Sequence, residues 1–210
     1  MTITKYKAHP WHGIDPGPNS PAEVTAYIEV VPTDTVKFEI DKKSGFLIID
    51  RPQKFSNVTP TLYGFIPQTY CGDLIAKFDA KKSKRPIGKG DGDPLDICVL
   101  CERTISGGDI LLHAIPIGGI RMYDKGEADD KIIAVLKDDE IYESWTEIEQ
   151  VPEGLINRIK HYFLTYKNLP GAELPIIEIV NVFGKKEAHE VIRKCIEDYK
   201  LQFRSAKKID

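Results

Sequence analysis

Short runs of apolar residues, alternating with polar ones or clustered, recur along much of the chain and are separated by turn formers. VTAYIEVV (24–31), VKFEI (36–40) and FLIID (46–50) are bounded by PTD and KKSG, the pattern of antiparallel strands. Further strands are predicted around Tyr63 to Ile66, at LDICVL (95–100), ILLHAIPI (110–117), KIIAVL (131–136) and LPIIEIV (174–180). Two later segments carry the helical period instead. In GLINRIKHYFLTYK, Leu155, Ile159, Tyr162 or Phe163, and Tyr166 fall on one stripe. In KKEAHEVIRKCIEDYKLQF the stripe is Ala188, Val191 or Ile192, Cys195, Tyr199 and Phe203. Strands first and helices later predict an α+β design, a small closed barrel with helices packed outside it. Residues 1–22, rich in Pro, Gly and His and without a period, read as an irregular arm on a single domain spanning 1–210.

Composition narrows the function classes. The chain has 210 residues, 41% hydrophobic and 29% charged, as in an ordinary folded domain. Twenty-nine Lys and Arg against 32 Asp and Glu leave a net charge of -3, which gives no bulk attraction to nucleic acid. No apolar run is long enough to span a membrane, and MTITKYKAHPWHG lacks a signal-peptide core, so no membrane partner and a cytoplasmic location are expected. Cys98 and Cys101 form a C-x-x-C, but within the strand-like ICVLC they read as buried thiols. The stretch GDLIAKFDAKKSKRPIGKGDGD carries six basic residues from Lys77 to Lys89 and reads as a solvated surface loop.

The strongest chemical pattern is GDGDPLDICVL (90–100). Asp91, Asp93 and Asp96 lie at the mouth of a strand, where they repel one another unless a cation neutralises them. Hard oxygen ligands at this spacing suit Mg²⁺. A calcium helix–loop–helix would place ligands at Asp91, Asp93 and Glu102, but its glycine position is Asp96 and its flanks read as strand. A second acidic run, MYDKGEADDKII (122–133), holds Asp124, Glu127, Asp129 and Asp130 and could face the first across a barrel rim. Alternation puts Lys37 with Glu39, and Tyr27 with Glu29, on shared strand faces; Arg51 closes FLIID, and Tyr166 and Lys167 end a helix. Cationic clamps beside metal carboxylates handle multiply charged phosphates. No GxxxxGK[ST] loop is present. The residues alone thus reach a multi-metal phosphoryl-transfer or phosphohydrolase site.

At these positions the chain resembles the family I soluble inorganic pyrophosphatases. Their D-x-D-P-x-D motif appears as Asp91-Gly92-Asp93-Pro94-Leu95-Asp96. IEVVPTDTVKFEIDKKSGFLIIDR, LYGFIP (62–67), MYDKGEADDK and HYFLTYK resemble further family segments, in order, from about Tyr27 to Tyr199. The resemblance implies a five-stranded closed barrel of OB-like architecture with additional short strands and two packed C-terminal helices. It also implies a homo-oligomer, with a hexamer favoured over a dimer, and Mg²⁺-dependent hydrolysis of inorganic pyrophosphate by direct attack of water, with three or four ions per site. Asp91, Asp96 and Asp129 would hold the first ion, Asp96 also reaching a second; Asp124 and Asp129 would serve a third, and Glu29 a fourth through water. Asp93 would accept a proton from the attacking water or orient it. Lys37, Arg51, Tyr166 and Lys167 would clamp phosphate, supported by Glu39, Tyr63 and Lys131. Thr59 and Lys125 depart from the family pattern, which commonly has an aromatic and an acidic residue at those places, and segment 71–90 is longer than in compact bacterial members.

Overall fold

The computed structural model describes residues 7–167 and 177–204. The strands are β1 (Val24–Val30), β2 (Val36–Ile40), β3 (Leu47–Pro52), β4 (Leu62–Phe65), β5 (Asp96–Leu100), β6 (Ile110–Asp124), β7 (Glu127–Ala128), β8 (Lys131–Leu136) and β9 (Ile177–Gly184). Three helices accompany them: α1 (Asp73–Ser83), α2 (Glu153–Thr165) and α3 (Lys185–Tyr199). The start of the strand read at 174–180, and residues 1–6 of the N-terminal arm, lie outside the described residues.

One seven-stranded sheet runs β1-β4-β5-β8-β6-β7, with β9 on β6 and a further pairing of β1 with β6; β2 and β3 form a separate hairpin. This mixed sheet with three helices corrects the expectation of a five-stranded closed barrel of OB-like architecture with two C-terminal helices. Three features account for the difference. β6 runs for 15 residues and is paired on both edges over Gly118 to Ile120, by β8 and by β9, with β7 added at its end. β5 and β8 pair in parallel, not antiparallel, through the register Asp96 with Lys131 to Leu100 with Val135. The first part of the basic stretch read as a loop forms α1, whose buried Ile75, Ala76 and Asp79 face inward while Lys77 and Lys81 stay exposed. Of the two predicted helices, α2 precedes β9 and only α3 is C-terminal.

The core lies on both faces of the sheet. Val24, Ala26, Ile28, Ile97, Val99 and Ile132 pack with Val191, Ile192 and Cys195 of α3. On the other face Tyr63, Cys98, Leu100 and Ile133 meet Ile156, Ile159, Tyr162 and Phe163 of α2. That stripe differs from the predicted one by placing Ile156 inward and leaving Leu155 half-buried. The N-terminal arm is anchored by Trp11, whose indole N–H donates to the Thr69 carbonyl (2.8 Å), and by His12 against the Tyr199 hydroxyl (2.8 Å). Gly64 lets β4 approach β1: a Cβ there would lie 1.9 Å from the Tyr27 carbonyl oxygen. The Tyr63-Gly64 pair lies within β4, in line with the strand predicted around Tyr63 to Ile66. The four cysteines are free, with Cys98 buried and Cys101 half-buried.

Candidate active site

A cavity of about 400 Å³ opens where β1, the β2–β3 hairpin, the loop before β5, the β6–β8 connection and the end of α2 converge. Every residue to which the family resemblance gives a site role lines it: Glu29, Lys37, Glu39, Arg51, Tyr63, Asp91, Asp93, Asp96, Asp124, Asp129, Lys131, Tyr166 and Lys167. The two acidic runs do face one another, because the parallel β5–β8 pair sets Asp96 beside Lys131. Gly92, at a φ of +79°, lets the chain reverse between Asp91 and Asp93, and the Asp93 amide donates to the Asp91 carboxylate (3.0 Å).

The site's electrostatics follow from crowding carboxylates in a buried place. Burial, then the neighbouring Asp129, pushes the Asp91 carboxyl well above the ordinary aspartate range. Asp129 is raised as well, chiefly by burial, against the pull of Lys131. Glu29 is pushed up to about 8 by burial, although its carboxylate accepts a bond from the Ile40 amide (2.7 Å). Lys131 is the counterweight. Burial alone would lower its ammonium, but Asp129 and Asp96 outweigh that and hold it well above the usual lysine range. Its Nζ bonds Asp129 and, at 2.5 Å, Asp96 Oδ2, which also accepts the Tyr63 hydroxyl at 2.5 Å.

Other charges around the cavity are paired as well. Lys37 reaches Glu39 (2.8 Å) and Asp50 (2.9 Å) on its own hairpin. Arg51 bonds Asp50 and lies 5.7 Å from the Tyr166 ring centre. Lys167 bonds Asp124, and Lys42 bonds Asp93. Lys42 and Asp50 line the cavity but escape sequence reasoning; the DKKSG turn that folds Lys42 back over the site is their local clue. Glu127 lines it too, from the second acidic run. The predicted shared face of Tyr27 and Glu29 does not hold. The β1–β4 register shifts between Ile28 and Val30, which turns Glu29 into the cavity while the Tyr27 hydroxyl goes to Asp109 (2.8 Å). Thr59 is buried with its hydroxyl on the Thr61 carbonyl (3.1 Å), away from the cavity lining.

The donor set fits a hard divalent ion in its chemistry: five candidate carboxylates, Glu29, Asp91, Asp96, Asp124 and Asp129, share one cavity. Asp124 Oδ1 is buried without a hydrogen-bond partner among the described residues, an unfilled acceptor of the kind a cation satisfies. Among those residues no three acidic side chains converge as a ready-made metal shell. Lys131 pairs with Asp96 and Asp129, and Lys167 pairs with Asp124, drawing these carboxylates toward the ammonium groups. Arg51 Nη2 is buried and has no hydrogen-bond partner among the described residues, a donor able to face an anion.

Comparison with known proteins agrees with this geometry. The family model described as inorganic pyrophosphatase matches residues 26–200. A Chlamydia muridarum inorganic pyrophosphatase is 53% identical over 195 residues, covering 91% of this chain and 93% of the relative. A soluble inorganic pyrophosphatase 2 from Chlamydomonas reinhardtii is 35% identical, covering 93% and 91%. Among solved structures, the inorganic pyrophosphatase from Thermus thermophilus superposes with a TM-score of 0.76 at 29% identity, covering 92% of this chain and 99% of that one. The chain belongs to the inorganic pyrophosphatase family.

Proposed function

We propose that this chain is an inorganic diphosphatase that hydrolyses pyrophosphate to two orthophosphates in the described cavity, with magnesium as its cofactor. The observation that carries the reading is the cavity itself, in which carboxylates for a divalent ion and cationic clamps for an anion stand side by side. Glu29, Asp91, Asp96, Asp124 and Asp129 are the residues that would hold magnesium, three to four ions in all. Bound magnesium supplies charge neutralisation of the diphosphate and a more acidic nucleophilic water.

The chain's own groups do the rest. Lys37, Arg51 and Lys167 bring three positive charges to the cavity wall, and Tyr166 adds a phenol whose burial keeps it protonated as a donor. These donors bind the diphosphate oxygens and stabilise the charge that gathers on the departing phosphate. Each is worth about 2.7–4 kcal/mol in the transition state, by the measure of removing one preorganised donor. Asp93 would take the proton of the attacking water at a carboxylate oxygen, and the Lys42 ammonium bonds that carboxylate. Tyr63 and Lys131 fix Asp96, and Glu39 with Asp50 aims Lys37. No side chain of the site is required as a covalent carrier, so water attacks phosphorus directly, in line with the leaving phosphate.

The same reading takes residues 1–210 as one domain, acting in the cytoplasm. Among the described residues no helix is long and apolar enough to cross a membrane. Exposed Phe46, Ile48 and Ile49 on the β2–β3 hairpin support a subunit contact in a homo-oligomer; the preference for a hexamer over a dimer rests on the family resemblance alone. The test is phosphate release from pyrophosphate and from organic diphosphates, with magnesium and with chelator. Release confined to pyrophosphate and lost with chelator is expected. Equal turnover of organic diphosphates, or release that survives chelation, overturns the reading.

A further inference from the structure

Behind the cavity wall lies a second charged cluster that the site does not use. Arg121, on β6, is 1% exposed and is the largest fully buried side chain described. Its guanidinium bonds three carboxylates from three different elements. Nη2 lies 3.1 Å from Asp79 of α1, Nη1 donates to Glu187 of α3 at 2.8 Å, and Nη2 lies 3.5 Å from Asp130. The ring faces of Phe78 and Phe183 flank it at 5.8 and 5.1 Å. A guanidinium presents donors in a fixed planar fork, so three such partners fix its position as well as its charge.

Asp130 is the link to the site. It follows Asp129 directly, and neighbouring residues in extended chain present their side chains to opposite sides. Asp129 lines the cavity while Asp130 points into the cluster. Two bonds pin this pair to Met122, the residue after Arg121. The Asp129 amide donates to the Met122 carbonyl (3.0 Å), and the Met122 amide donates to the Asp130 carboxylate (3.3 Å). The segment that follows α1 is strapped to the same loop. The Ala128 amide donates to the Lys89 carbonyl (3.1 Å), and the Asp91 amide donates to the Ala128 carbonyl (3.3 Å).

We infer that Arg121, held by Asp79 and Glu187, is a positioning residue that fixes the Asp129 carboxylate in the cavity by anchoring Asp130 on the reverse side of the same loop. This rests on the reading of Asp129 as a magnesium ligand. Helix α1 thereby acquires a role: through Asp79 it braces Asp129, and through its C-terminal connection it carries Asp91. None of the four phosphate clamps sits on these elements. The effect should fall on magnesium binding and spare the pyrophosphate KM.

Partners that orient metal ligands typically contribute about 10–100-fold in metal affinity. The test uses the full chain with Arg121→Lys, Asp79→Asn and Glu187→Gln, and Glu190→Gln as control, since among the described residues the one ion pair of Glu190 is with the outer Lys82, at 3.8 Å. Magnesium binding to the substrate-free protein is read by calorimetry, beside thermal melting and the magnesium and pyrophosphate dependence of phosphate release. Arg121→Lys and Asp79→Asn are expected to weaken magnesium binding about 10-fold or more, with the pyrophosphate KM within about 2-fold of the parent at saturating magnesium. Glu187→Gln, at the solvent side of the cluster, should show a smaller loss in the same direction and keeps the test readable if Arg121→Lys does not fold. Folded variants that melt earlier yet bind magnesium like the parent would reduce the cluster to a fold contact and overturn the inference. Failure of the parent to hydrolyse pyrophosphate while it still binds magnesium would sink the functional reading and leave this inference standing.

Discussion

Replacing Lys131 by methionine removes the one ammonium between Asp96 and Asp129 while keeping most of the buried stem. Lys131 is 1% exposed, so water cannot take its place without a gap opening. Two aspartates would then face each other in a buried site, and the cheapest relief is for one to stay protonated. Each pKa unit is worth about 1.36 kcal/mol, so holding an aspartic acid neutral at pH 7 against an ordinary value near 3.9 costs about 4 kcal/mol. That ceiling agrees with the roughly 3–5 kcal/mol measured on breaking buried ion pairs. At pH 5 the same relief costs only about 1.5 kcal/mol. Urea unfolding in chelator, followed by tryptophan fluorescence at both pH values, should therefore show a loss of about 3–4 kcal/mol at pH 7 that shrinks by more than half at pH 5. Added magnesium should restore part of the loss at pH 7, because it supplies the missing positive charge. A variant within about 1 kcal/mol of the parent at pH 7, or one equally destabilised at both pH values, would refute the reasoning.

Other perturbations separate fold from site. Gly64→Ala sets a Cβ 1.9 Å from the Tyr27 carbonyl oxygen, a backbone atom that cannot step aside; thermal melting should show a loss at or above the roughly 1–3 kcal/mol of ordinary overpacking. His12 is lowered below the usual histidine range by burial and then by His9. The unfolded chain therefore binds the proton more readily, and the stability His12 contributes is present above about pH 6.5 and lost as pH falls. Melting curves from pH 8 to 5 should show a shallower acid decline for His12→Gln, and an unchanged slope would contradict this. Lys42→Met removes a half-exposed ion pair with Asp93, so stability should move by less than about 1 kcal/mol, while kcat falls at least several-fold and the pyrophosphate KM changes less.

Much of this was legible because strand and helix periods are local properties. β2 matches its predicted span from Val36 to Ile40, and α3 begins at Lys185 as the periodic segment does. The residues of the acidic and cationic runs converge because those runs sit at strand ends, where loops meet at one rim. What sequence could not give depends on distant pairing. The parallel register of β5 with β8 joins segments 35 residues apart, and nothing in either strand states its partner. Helix α1 was hidden because its inward stripe includes a carboxylate: Asp79 is fully buried only because Arg121, 42 residues later, is there to receive it. The same holds for Glu29. A strand alternation assigns it to the face of Tyr27, and only the irregular β1–β4 pairing separates the two.

Whether this cavity activates water against a phosphorus centre, with Asp93 receiving the proton, is decided by one pair of assays on Asp93→Asn. Phosphate release from pyrophosphate is measured at saturating magnesium, and magnesium binding is measured on the same preparation. The asparagine variant is expected still to bind magnesium and pyrophosphate but to lose about 10²–10⁴-fold in kcat, the usual contribution of a general base. A variant that releases phosphate within a few-fold of the parent would contradict it and require another proton acceptor in the cavity.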